Sequence, residues 1–234
     1  MSMKRNATFD VLHLAALLFL LGWLMPSCND SDSDDDDDDE TVEPYEVEAE
    51  DLEESEYIDG YAATDLGLSV KWATCNIGAE SPEDYGNYYA WGETETKSLY
   101  SVTTSVTYGV NMDDFSGDAN YDAAAANWGG SWRMPTSDEM TELMDDCTWD
   151  WAILNDIYGY LVTGDNGNSI FFPFSGYYSG TELSNEGFYG FSWTSTPDST
   201  YTDDAYCLFL TNDTCGVSSY NYRLFGRPVR AVSE

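Results

Sequence analysis

Between residues 30 and 56 the chain carries 17 aspartates and glutamates in 27 positions and no lysine or arginine, with an unbroken acidic run over 34–40. Such a segment cannot build a core. Its like charges repel, and its few apolar side chains recover too little free energy to offset the roughly 1–2 kcal/mol per residue that ordering a backbone costs. The fold must therefore come from the residues C-terminal to it. Residues 28–56 read as an acidic, disordered tether and residues 57–234 as one folded domain of ordinary size. At about 3.3 Å per residue, the 28 positions of 29–56 could reach roughly 90 Å.

Ahead of the tether, Lys4 and Arg5 precede an apolar stretch over 14–25, and Ser27 directly precedes Cys28. This is the pattern of a secretory signal peptide over residues 1–27. Twelve apolar residues rise only about 18 Å as a helix, short of a hydrocarbon core of about 30 Å. The leader resembles that of a bacterial lipoprotein, which implies acylation of Cys28 and a membrane-lipid partner. Leu24 lies four residues before the cysteine, where the lipoprotein pattern has leucine three before. An ordinary signal peptide with Cys28 as a plain thiol is the alternative. Acidic residues directly after the cysteine resemble the surface-export signal of Bacteroidota lipoproteins. They imply an outer-membrane lipoprotein at the cell surface, with a periplasm-facing one as the alternative.

Charge and composition exclude several functions. The whole chain carries a net charge of −36, and beyond the leader six basic side chains face 43 acidic ones. Nucleic acid is not an expected partner, because phosphate binding needs a basic footprint. The only histidine, His13, lies in the leader, so a mature chain has no Ser-His-Asp triad, Cys-His pair or histidine zinc site. A two-carboxylate glycosidase needs no histidine. In a chain this acidic, however, a pair of carboxylates carries no information.

Four cysteines lie beyond Cys28: Cys75, Cys147, Cys207 and Cys215. An even number in an oxidising compartment favours disulfides over metal, and three pairings are open. The turn-like residues 211–214 between them favour Cys207 with Cys215, leaving Cys75 with Cys147. Four reduced thiols are the alternative.

Short aromatic and β-branched runs alternate with turn residues, which predicts a mainly β chain of about eight strands. Leu68, Val70 and Trp72 alternate with polar residues, and a second strand is expected over 88–91. Runs at 158–163 and 169–172 bracket the hairpin signal Gly164-Asp165-Asn166-Gly167, with Pro173 marking an edge or bulge. Further strands are expected over 187–193, 205–210, 215–222 and 228–232. Asn120 is expected to cap a short helix over 121–127, stopped by Gly129 and Gly130. Pro135 and the capping box of Thr136 and Glu139 start a second helix, on which Met140, Leu143, Met144 and Cys147 share a core-facing side. Residues 94–118, polar and aperiodic, read as a loop insertion.

Five stretches then stand out together: DLGLSVKWATCNIG (65–78), SPEDYGNYYAWGE (81–93), NWGGSWRMPTSDE (127–139), SWTST (192–196) and GRPVRAV (226–232). In order and spacing they resemble the Fibrobacter succinogenes major paralogous domain (FISUMP) family of Bacteroidota surface lipoproteins. The resemblance implies an α+β, C-type lectin-like fold, with two helices packed on twisted antiparallel sheets and long loop regions. It supplies no established activity. The calcium-bridged sugar motifs of true C-type lectins are absent, and Trp193-Thr194-Ser195-Thr196 stands where one of them would align. Neither a metal nor another cofactor is expected, and calcium has no recognised motif.

Capping explains Pro135, Thr136 and Glu139, with Arg133 paired to an acid, so this motif reads as structural. Ligand-binding candidates are the aromatics Tyr177, Tyr178 and Tyr201, expected at exposed loop positions, together with Trp193. The expected function is adhesion or recognition by a binding module, its ligand a neutral glycan or a protein, and not catalysis. Alternatives are an enzyme of the formylglycine-generating or carboxylate type and a passive surface or fimbria-associated subunit.

Overall fold

A computed structural model describes residues 43–48, 52 and 56–234. The leader and Cys28 lie outside the described residues. Strands β1 (Tyr45–Glu46), β5 (Cys147–Leu154), β6 (Ile157–Gly164) and β7 (Ser169–Pro173) form one sheet in the order β1-β5-β6-β7. A second sheet has the order β13-β4-β3-β2, from β2 (Glu56–Ile58), β3 (Tyr61–Thr64), β4 (Lys71–Asn76) and β13 (Arg230–Ser233). Strands β10 (Gly190–Pro197), β11 (Ala205–Leu210) and β12 (Cys215–Ser218) form a third, and β8 (Tyr177–Ser179) pairs with β9 (Glu182–Ser184). With helices α1 (Ala123–Asn127) and α2 (Ser137–Asp146), the described residues form an α+β arrangement of mainly antiparallel strands.

The two-residue period of the strands divides the core in two. On β11, Cys207 enters a cluster with Trp91, Trp132 and Trp193, whereas Leu208 and Leu210 enter another with Trp72, Phe172, Met140 and Leu143. Helix α2 covers this second cluster, packing on β5 and on β10, β11 and β12. Its capping box is formed: Glu139 N donates to Thr136 Oγ1 at 3.2 Å, and Thr136 N donates to Glu139 Oε2 at 2.8 Å. Arg133 grips the same carboxylate with two bonds, at 2.8 and 2.6 Å.

Helix α1 begins one residue after Asp122, not at the expected Asn120 cap. The Asp122 carboxylate is fully buried and accepts four backbone N–H groups, from Ala124, Ala125, Gly117 and Met134, at 2.7–3.0 Å. Burial pushes its pKa up while those donors oppose the shift. Two of the bonds cap the helix, and two tie the preceding loop and the chain ahead of α2 to the same point. Asn120 instead closes a surface turn with Asp118.

Other expectations are corrected. Cys147 is not on the helix face: it ends α2 in extended geometry and is the first residue of β5, half-buried against the second cluster. Residues 88–91 form no strand, but Tyr89 and Arg227 exchange backbone bonds at 2.9 and 3.0 Å. Neither expected disulfide is formed, since Cys75, Cys147 and Cys207 are free thiols. The β11–β12 register pairs Cys207 with Ser218 and Leu210 with Cys215. This places Cys207 and Cys215 three positions out of register and on opposite faces of the sheet, beyond the reach of an S–S bond.

The acidic run is not free along its whole length. Tyr45 and Glu46 pair in parallel with Ala152 and Ile153, and Val47 N donates to Ile153 O at 2.9 Å. Val47 is buried with Ala152, Leu154, Leu161 and Phe171, and Leu52 packs on the same cluster. Among the described residues of the run, the aliphatic side chains Val47 and Leu52 are the ones that dock.

All six bases beyond the leader are internally engaged. Lys71 pairs with Glu56, Lys97 with Glu93 and Arg133 with Glu139, while Arg223, Arg227 and Arg230 are buried. The Arg230 guanidinium donates to the carbonyls of Ala73, Thr74 and Phe171 and to Asn76 Oδ1, at 2.8–3.2 Å. Burial lowers its pKa to about 10.

Candidate functional site

The segment over 221–227 folds back beside β8, β10 and the start of β11, because Tyr178 and Gly226 exchange backbone bonds and Ala205 N donates to Asn221 O. This return places Arg227 beneath several rings. Its guanidinium carbon lies 4.3 Å from the Phe191 centroid, 4.5 Å from Trp193, 5.8 Å from Phe225 and 5.9 Å from Tyr177, and it donates to Asn221 Oδ1 at 2.7 Å. The negative faces of the rings and the amide oxygen together compensate the buried cation. Cys207 sits in the same interior, where burial pushes its thiol pKa up against the pull of Arg227.

Around this cation the rings form a continuous belt. Centroid separations run Tyr189–Phe191 6.5 Å, Phe191–Tyr177 5.5 Å, Tyr177–Phe225 5.1 Å, Phe225–Tyr222 5.9 Å and Tyr222–Tyr108 6.2 Å. Tyr177 is buried at its centre, while the other five residues are half-buried. At the far end the Tyr108 hydroxyl donates to Asp203 Oδ2 at 3.2 Å. Burial, reinforced by Asp203, raises the Tyr108 pKa, so the phenol keeps its proton. Arg223 braces this end, with its guanidinium 4.1 Å from the Trp91 ring centroid and bonded to the carbonyls of Asp204 and Val110. Burial lowers its pKa to about 10.

A belt of this kind offers flat apolar faces beside phenolic hydroxyls and a carboxylate. Those are the groups that stack on a sugar ring or an apolar side chain and hydrogen-bond its edge.

The expected ligand residues divide. Tyr177 and Trp193 are buried, contrary to the expectation for Tyr177 of an exposed loop. Trp193 is a core residue whose indole N–H donates to Tyr89 O at 3.0 Å. Tyr178, adjacent to Tyr177 on β8, points to the opposite face and packs on Tyr88 and Tyr100 at 4.9 and 5.4 Å. Tyr201 is 40% exposed in the 198–204 turn, which joins the Tyr108 loop through Gly109 N to Thr202 O at 3.1 Å. Phe191, Phe225, Tyr108 and Arg227 escape a reading of the sequence alone, although the run Tyr222-Arg223-Leu224-Phe225-Gly226-Arg227 carries a signal in its interleaved aromatics and arginines. Arg133, Pro135, Thr136 and Glu139 form the entry to α2, tied to β10 through Ser195 N to Pro135 O at 2.8 Å.

Among the described residues, no three His, Cys, Asp or Glu side chains are grouped to hold a metal ion, and no helix is long and apolar enough to cross a membrane. Comparisons with protein-family models, curated proteins and solved structures return no match.

Proposed function

We propose that this chain is a surface-displayed lipoprotein of the FISUMP type, anchored through Cys28, whose C-type lectin-like domain is a binding module. The aromatic belt from Tyr189 to Tyr108 carries this reading: six rings run in sequence, five of them half-buried and joined at the centre by the buried Tyr177, with Arg227 beneath Phe191, Tyr177 and Phe225, and Tyr108 is hydrogen-bonded to a carboxylate. A neutral glycan fits such a platform, and an apolar protein segment is the second ligand class. The leader and the acidic run after it support display at the outer membrane. The absence of histidine beyond the leader supports binding over hydrolysis.

The test is a glycan array probed with the whole chain in detergent, with hits confirmed by calorimetry. Tyr222→Ala and Phe225→Ala should each weaken a genuine ligand about tenfold, as expected when a stacking ring is truncated. Unchanged affinity in both folded variants refutes the belt as the site.

A further inference from the structure

We infer that the turn carrying Phe188 is an anchor for a protein partner that presents an apolar pocket rimmed by lysine or arginine. Phe188 is 74% exposed, more than any other large hydrophobic residue among those described. A ring left in water on a flexible loop would mean little, but this turn is fixed. Asn185 adopts φ 60° and Gly187 φ 74°, and the N–H groups of Phe188 and Tyr189 both donate to Asn185 O, at 3.1 and 3.0 Å. Gly187 N donates to Phe174 O at 2.7 Å and Gly176 N to Tyr189 O at 2.7 Å, tying the turn to the core on both sides. Beneath it the backbone of Gly176 approaches so closely that a Cβ there would lie 2.4 Å from Ser184 O and 2.7 Å from Glu186 N. The backbone that presents the ring is thus fixed by the fold, and binding has only the side chain left to order.

Charge decides what can cover it. Glu186, two residues before Phe188 in the same turn, is exposed. Every base among the described residues is buried or held in an ion pair. A second copy would bring a net charge of −36 against another −36, which disfavours self-association. A convex phenylalanine also offers no cleft to a sugar. A basic-rimmed pocket satisfies both the ring and Glu186 in the turn that carries it.

The test is panning of a random peptide library displayed on phage against the whole chain in detergent, followed by affinities for wild type, Phe188→Ser, Phe188→Leu and Glu186→Gln. The expected peptides carry net positive charge with aromatic or aliphatic residues. Phe188→Ser should weaken them at least tenfold, Phe188→Leu less than threefold, and Glu186→Gln severalfold, with the last effect vanishing at high salt. Peptides that bind Phe188→Ser as tightly as wild type, or enrichment without basic residues, overturn the inference. Glycan binding that is lost in Tyr222→Ala and kept in Phe188→Ser, with no Phe188-dependent peptide, refutes this anchor while sustaining the belt. No ligand of either class removes both.

Discussion

Replacing Asp122 by alanine removes the acceptor of four backbone N–H groups at once. Losing the cap of α1 costs about 1 kcal/mol. Met134 N–H, buried, is left without its charged acceptor at a cost of about 2 kcal/mol, while Gly117 N–H lies near the surface and adds about 0.5 kcal/mol. The expected loss is about 3–4 kcal/mol. The isosteric Asp122→Asn is the sharper test. Oδ1 serves Ala124 and Ala125, whereas Oδ2 serves Gly117 and Met134. Asparagine supplies only one oxygen, so its amide N–H₂ must face two donors, and about 2–3 kcal/mol should still be lost. Urea unfolding followed by tryptophan fluorescence measures both. With a slope of about 2 kcal/mol/M, the alanine variant should unfold about 1.5–2 M earlier and the asparagine variant about 1–1.5 M earlier. An asparagine variant within about 0.5 kcal/mol of wild type would refute the two-oxygen account.

Three further outcomes are expected. Burial raises the Glu139 pKa, but its bonds to Arg133 and Thr136 lower it more, so the folded value lies below the ordinary 4.5. Its stabilisation is complete above about pH 5 and lost as pH falls through the folded pKa, so the gap in urea midpoint between wild type and Glu139→Gln should close on acidification; a pH-independent gap contradicts this. Alkylation in denaturant without reductant, read by mass spectrometry, should label Cys75, Cys147 and Cys207, and protection of Cys207 would show a bridge the β11–β12 register forbids. Metabolic lipid labelling should be abolished by Cys28→Ala, and persistent labelling would remove the proposed anchor.

Local signals in the sequence are reliable where the structure they specify is local. The capping box of Thr136 and Glu139 lies within four consecutive residues, and the hairpin between β6 and β7 is set by Gly164 and Gly167, so both are legible. The α1 cap is misplaced by sequence because Asn120 and Asp122 are equally good cap residues; what selects Asp122 is Met134 N–H, twelve residues away. Strand β5 is hidden because the chain passes from helix to strand at Cys147 with no glycine or proline between. The belt draws on four separate stretches around residues 108, 177, 189–191 and 222–225, and no pattern within one stretch reveals that they meet. Arg227 is invisible for a related reason. An arginine reads as surface until four aromatic rings are seen to enclose it.

The docking of Tyr45, Glu46 and Val47 onto β5 changes how the domain would be presented. If Cys28 is held in lipid, 15 residues, Asn29 to Glu43, separate it from the docked segment, a contour of at most roughly 50 Å. The attachment point then moves from the start of β2 to the outer edge of β5. A force applied along the spacer would load the two-residue parallel ladder of β1 first, pulling Val47 from its apolar seat before any other strand is strained. Release of that short strand would lengthen the leash while leaving the aromatic belt intact, giving the domain two reaches from one chain.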